Sequence, residues 1–428
     1  MIEKNKFMDK PESEPKSKTK PKYKINNELY AEEDFLKDCP DGEFVPTVLP
    51  PVKRLIAIGD IHGDLNLAIK SFKLAGLIDD DFNWIAKPKN TIVVQVGDQI
   101  DSCRPIPGVY DCHGSKYPDD KSDDMNVIKF FNDMHQKASA NGGAVYSLLG
   151  NHELMNSQGN FAYASYDNYY NFKYESEDGT MYEGPSGKKK AFAPGGPVAK
   201  ILACNRQSVL VVGSTMFVHA GVLPVLASRL DYLNLDNETK LKYLNAVVRK
   251  WLLHNLSQKD VDNKTMFIND PKISPFWTRV YGSIPEHTDL ESSECFSSVK
   301  KTIEVFKLGQ LVVGHTPQLY TNKNGINGTC YEKDGSNKLY RVDGGFSQAF
   351  KVFGDNDLIQ VLEILNDTEF KILTDKTTRE YTKPPDININ ERQMKKVSYI
   401  YSQNRTSSDK PLDISSGKKS KVNRKTLY

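Results

Sequence analysis

Leu55-Ile56-Ala57-Ile58-Gly59-Asp60-Ile61-His62-Gly63 is the stretch that decides the fold. Its first four residues are apolar without alternation, so both faces are buried, as in an inner strand of a sheet covered on two sides. Gly59 and Gly63 then frame Asp60 and His62. Side chains two residues apart converge on one point only if the chain turns sharply, and the glycines permit that turn. A buried strand ending on a carboxylate and an imidazole describes a ligand loop at the carboxyl edge of an α/β sheet.

The same arrangement recurs four times downstream. Gly97-Asp98-Gln99-Ile100-Asp101 follows the apolar run 91–96, and Gly150-Asn151-His152-Glu153 follows 145–149. His219-Ala220-Gly221 comes after 209–212 and 216–218, and Gly314-His315-Thr316 after 311–313. One such pair alone is commonly a plain turn. Five of them, each behind a strand and with complementary donors, are a site. Of the eight histidines, four fall in these segments, whereas His113, His135, His254 and His287 lack such a setting.

The donor set points to two cations. Asp60, His62 and Asp98 form one group; Asp98, whose carboxylate can bridge, joins Asn151, His219 and His315 in the other. Mixed nitrogen and oxygen donors suit Mn, Fe or Zn better than Ca or Mg. Two such ions share a bridging water, lower its pKa and hold phosphoryl oxygens for in-line attack. His152, next to Asn151 but facing the other way, is read as the general acid, with Asp101 as its orienter. Phosphate charge calls for arginine. Arg279, between the His219 and His315 loops, leads; Arg104 is second; Arg341 is third and reads equally as structural.

Around this core the chain is polar at both ends. Residues 1–50 read as a flexible arm in which Tyr30, Phe35 and Phe44 can pack on the body; 51–375 is the catalytic domain; 376–428 is a basic, disordered tail. Helices are expected over 65–75 and 126–138, later strands over 339–342, 359–365 and 370–373, and the mixture implies a layered α/β body. Two polar insertions, 103–124 and 157–196, leave the motif loops as surface loops bordering the site, and Lys188-Lys189-Lys190 reads as solvated. The 428 residues carry a formal net charge of +2, which argues against stable nucleic-acid binding. Mean hydropathy is −0.54. No apolar run nears the roughly 18 residues of a membrane span and no secretion signal is seen, so an intracellular protein is expected. The six cysteines lack CxxC spacing, and reduced thiols are expected, including Cys103 and Cys112 beside His113.

These segments resemble the calcineurin-like metallophosphoesterases and, within them, the phosphoprotein phosphatases. Gly150-Asn151-His152-Glu153-Leu154-Met155-Asn156, Gly196-Pro197-Val198-Ala199 and Val313-Gly314-His315-Thr316-Pro317-Gln318 look most like the Shewanella-like, bacterial-type branch. The resemblance spans about residues 54–350. It implies a four-layer α/β/β/α sandwich with two mixed sheets, two transition-metal ions, Mn foremost, and hydrolysis of phosphoserine or phosphothreonine in proteins. The metal, acid and arginine roles carry over to the residues named above. A dinucleoside polyphosphate or other small-molecule phosphohydrolase is the alternative enzyme, and an inactive scaffold the alternative of another class. One departure stands out: where the family reads Asp-Arg-Gly, this chain reads Asp101-Ser102-Cys103-Arg104.

Overall fold

The computed structural model describes residue 30 and residues 32–106, 111–114, 123–322, 325–353 and 358–375. Two six-stranded sheets face each other. One runs Glu369–Asp375, Ile359–Leu365, Arg54–Ile58, Ile92–Gln95, Ala144–Leu148, Arg206–Gln207; the other runs Val48–Leu49, Val209–Val212, Thr215–Val218, Gln310–Val313, Asn337–Arg341, Asn327–Tyr331. Both are mixed; the first has a run of four parallel strands and the second a parallel centre of three. Pairing of Ile58 with Gln95, Gln95 with Ser147, and Val313 with Val218 and Arg341 puts the carboxyl ends of the central strands in line. Five motif turns are thereby delivered to one edge. The fold is the expected α/β sandwich.

Helices close the outer faces. Leu65–Leu74 starts where Asp64 accepts from the Leu67 N–H (2.9 Å) and turns Leu67, Ala68 and Phe72 inward. With Asp124–Ser139 it covers the first sheet, in one apolar core with Val93, Val94, Phe131 and Met134. Pro197–Asn205 and Asn237–Leu252 cover the other, around Leu202, Leu244, Val248 and Phe276. Burying a Leu- or Phe-sized side chain contributes about 1.5–3 kcal/mol, and these two cores hold the layers together.

Several expectations need correction. All six cysteines are paired: Cys39 with Cys204, Cys103 with Cys112 and Cys295 with Cys330. Partners up to 165 residues apart carry no spacing signal; only the fold sets their Cα atoms 5.6–5.8 Å apart. Such bonds persist in oxidising surroundings. Insertion 157–196 is ordered structure, with helices Tyr166–Tyr170 and Gly184–Phe192 and a hairpin pairing Lys173–Glu175 with Met181–Glu183. Within it Lys188 is wholly buried, its Nζ 3.2 Å from Asp124 Oδ2 and surrounded by Phe161, Phe172 and Phe192. Of the N-terminal arm, Glu32–Asp38 is a helix whose Phe35 is buried against the body. Residues 1–29, the 376–428 tail and much of insertion 103–124 lie outside the described residues. Among those described, no helix is long and apolar enough to cross a membrane.

Candidate metal centre

Each turn at the shared sheet edge is strained or tightly packed. His62, Asp98, Asp101 and His315 all have left-handed backbones, with φ of 48°, 54°, 72° and 66°. Non-glycine residues hold such angles only where the surroundings impose them. A side chain on Gly150 would collide with the Asp98 carboxylate, and one on Gly314 with that of Asp60. Glu153, fully buried, ties two turns together: its Oε2 accepts from Asp98 N (3.0 Å) and Gly150 N (2.7 Å), its Oε1 from Gln99 N (2.7 Å).

The structure brings together all six residues expected as ligands, and all are buried. Asp98 Oδ2 lies 3.3 Å from His219 Nε2 and 3.9 Å from His62 Nε2, which is itself 3.8 Å from Asp60 Oδ2. Asn151 Oδ1 lies 3.0 Å from His219 Nε2 and 2.8 Å from His315 Nδ1. The opposite ring nitrogens are engaged by backbone: His62 Nδ1 with Ile100 O, His219 Nδ1 with Val96 O, His315 Nε2 with Trp277 O. Such backbone partners set the tautomer of metal-bound histidines.

Electrostatics test the fit. Burial, Arg279 and His219 hold His315 well below the usual histidine range, and burial, Arg104 and His152 do the same for His62. A neutral His315 donating to Trp277 O turns its Nδ1 lone pair toward Asn151 Oδ1; a neutral His62 likewise faces Asp60 and Asp98. Carboxylates, an amide oxygen and imidazoles buried around Asp98 are donors suited to a pair of transition-metal cations, so these residues fit a dinuclear centre. Asp60 is pushed well above the carboxylate range by burial, then by Asp343 and Asp98. For Asp98, burial acts upward, but His219, His152 and His62 bring it well below.

Next to the donors, His152 Nδ1 meets Asp101 Oδ2 at 2.8 Å, and its Nε2 lies 3.8 Å from Asp98 Oδ2. Asn156 Nδ2 also donates to Asp101 Oδ2, at 2.9 Å. His62, Asp98 and His152 therefore place donor atoms within 4.8 Å of one another, as do Asp98, His219 and His315. Distance alone would admit His152 as a ligand.

The arginines separate. Arg104 is buried, not solvated: its Nη1 donates to Asp101 O (3.0 Å) and Cys103 O (2.8 Å), and its guanidinium lies 4.6 Å from the Phe350 ring centre. Arg279 is exposed and close enough to His315 to lower its pKa. Arg341 is buried on Asn327 Oδ1 and the Ile284 carbonyl, partners that give it a packing role. Ser102, at the place of the family arginine, is held by Asn168 Nδ2 (3.1 Å). Asn168 and the Lys188–Asp124 pair brace this turn from the insertion, because Asp124 Oδ1 accepts from Asp101 N (3.1 Å). Sequence reasoning passed over Glu153, Asn156 and Asp124. Only Glu153, three residues after Gly150 at a helix start, carried a local signal for its role.

Comparison with known proteins agrees with this geometry. An Acanthamoeba polyphaga mimivirus protein, uncharacterized, is 62% identical over 248 residues, covering 58% of this chain and 98% of its own length. Shewanella-like protein phosphatase 2 of Arabidopsis thaliana is 27% identical over 374 residues, 79% of this chain and 83% of that protein. Among solved structures, a cold-active protein tyrosine phosphatase superposes with a TM-score of 0.51 at 19% identity, over 80% of this chain and 83% of that one, which is a likeness of fold. The model of the calcineurin-like phosphoesterases matches residues 53–319, and the chain belongs to that family.

Proposed function

We propose that the chain is a dimetal phosphomonoesterase acting on phosphoserine and phosphothreonine in proteins. The observation that carries the reading is the convergence of Asp98 with His62 and His219 beside a His152 oriented by Asp101. When bound, the ions supply Lewis-acid stabilisation of phosphoryl oxygens and an activated water. Asp98, reached from both donor groups, joins them. His152, with Nδ1 held by Asp101, keeps Nε2 toward the site to give a proton to the leaving alkoxide. Arg279, exposed at the His315 side, takes the phosphate's equatorial oxygens, and Arg104 supports the Asp101 turn while adding positive charge near His62. Mn is the cation we expect, on the mixed donor set.

A phosphotyrosine reading has one observation of its own. Tyr163 packs edge-on to His152 at 5.0 Å and Phe350 edge-on to His62 at 5.3 Å, an aromatic wall able to accept a phenyl leaving group. Hydrolysis of phosphoserine, phosphotyrosine and dinucleoside tetraphosphate substrates, side by side with Mn, decides among the readings. Faster turnover of the phosphoserine peptide is the expected result; preference for the dinucleotide refutes the protein-phosphatase reading.

A further inference from the structure

The turn after strand Asn337–Arg341 carries a carboxylate that none of the roles above uses. Asp343 is 2% exposed. Its Oδ1 accepts from Gly345 N at 3.0 Å, but its buried Oδ2 has no hydrogen-bond partner among the described residues. Parallel pairing of its strand with Gln310–Val313 sets Asp343 beside the His315 turn. On the other side, the Cβ that Gly59 lacks would lie 3.2 Å from Asp343 N, so the Asp60 turn is packed against it. Asp343 therefore stands where the two sheets meet.

Its neighbours make this costly for the chain alone. Asp343 shares this buried region with the carboxylates of Asp60 and Asp98, whose negative charges repel its own. Arg104 opposes this, yet its Nη1 is committed to the Asp101 and Cys103 carbonyls. A buried carboxylate oxygen with no donor, beside two further carboxylates, lowers stability unless a cation compensates. The first donor group also has room for more help: it has three protein donors, Asp60, His62 and Asp98, against four in the second.

We propose that Asp343 is a seventh residue of the dinuclear centre, its free Oδ2 and its charge serving the cation held at Asp60 and His62. The assignment rests on the dimetal reading above. Asp343→Asn tests it, because asparagine keeps an oxygen for the Gly345 N–H and nearly the same volume while removing the charge and the free carboxylate oxygen. Mn²⁺ is titrated calorimetrically into chelator-stripped wild-type and variant chains, and the metal-free melting temperature is recorded for both. Two ions bind the wild type; in the variant one of the two binds roughly 10- to 100-fold more weakly, while the metal-free variant melts no lower than wild type. Unchanged affinity for both ions overturns the assignment alone. A wild-type chain that takes up fewer than two ions overturns the dinuclear reading and this assignment with it. Should the asparagine variant not fold, Asp343→Ser, which keeps a short acceptor for Gly345, carries the same comparison.

Discussion

His152 Nδ1 and Asp101 Oδ2 lie 2.8 Å apart, and the second oxygen of Asp101 is buried without a partner among the described residues. One carboxylate oxygen is thus shared between His152 and Asn156, on a residue whose own backbone is left-handed. If this pair is the acid and its orienter, His152→Asn lowers kcat by about 10²- to 10⁴-fold and leaves two metals per chain. Metal analysis beside the rate is the check. Loss of one ion would make His152 a ligand with His62 and Asp98.

The arginines should differ in kind. If Arg279 grips the phosphate as proposed, Arg279→Ala removes a charge-assisted contact worth about 1.5–3 kcal/mol, so kcat/KM falls roughly 10- to 100-fold. Arg104→Ala loosens the Asp101 turn instead, so it lowers kcat more than it raises KM. Steady-state kinetics on one phosphopeptide separates the two patterns; equal effects on KM would place both arginines on the phosphate.

Lys188 Nζ and Asp124 Oδ2 form a buried ion pair at 3.2 Å. Lys188→Met leaves a buried carboxylate uncompensated and costs about 3–5 kcal/mol in denaturant unfolding. Adding Asp124→Asn recovers much of that loss. A solvated lysine would change stability by less than about 0.5 kcal/mol.

Burial raises Asp124 to about 6, partly offset by Lys188. Its folded pKa thus exceeds the unfolded value of about 3.9, and the folded chain binds more protons between those limits. This group's contribution to stability is greatest below pH ~4, declines as pH rises toward ~6, and is level above that. Melting temperatures of the metal-free chain across this window should fall less steeply for Asp124→Asn than for wild type.

Thiol titration of the unreduced, denatured chain should find no free cysteine, in keeping with three paired bonds. Six titratable thiols would restore the reduced state expected from spacing. Replacing Cys39 by Ser, which frees helix Glu32–Asp38 from Cys204, should cost about 2–5 kcal/mol.

Strands announced themselves where both faces were apolar. Expected runs at 55–58, 209–212 and 359–365 coincide closely with Arg54–Ile58, Val209–Val212 and Ile359–Leu365. Short polar strands did not: Arg206–Gln207 has one intermediate residue and no apolar one, and is a strand because Ala144–Leu148 offers it an edge. Lys188 misled for a related reason, since three consecutive lysines look solvated until a helix turns one of them inward onto Asp124.

By itself the sequence determined the layered α/β class, the strands that end in polar turns and the six buried residues that those turns gather, because burial periodicity and turn chemistry are local properties. Tertiary structure alone decided which other distant groups meet: Glu153 across two turns, Asp124 under Asp101, Cys39 on Cys204, and Asp343 against the Asp60 turn. Those meetings depend on strand order and register, which pair residues up to hundreds of positions apart and leave no mark in the spacing of either partner.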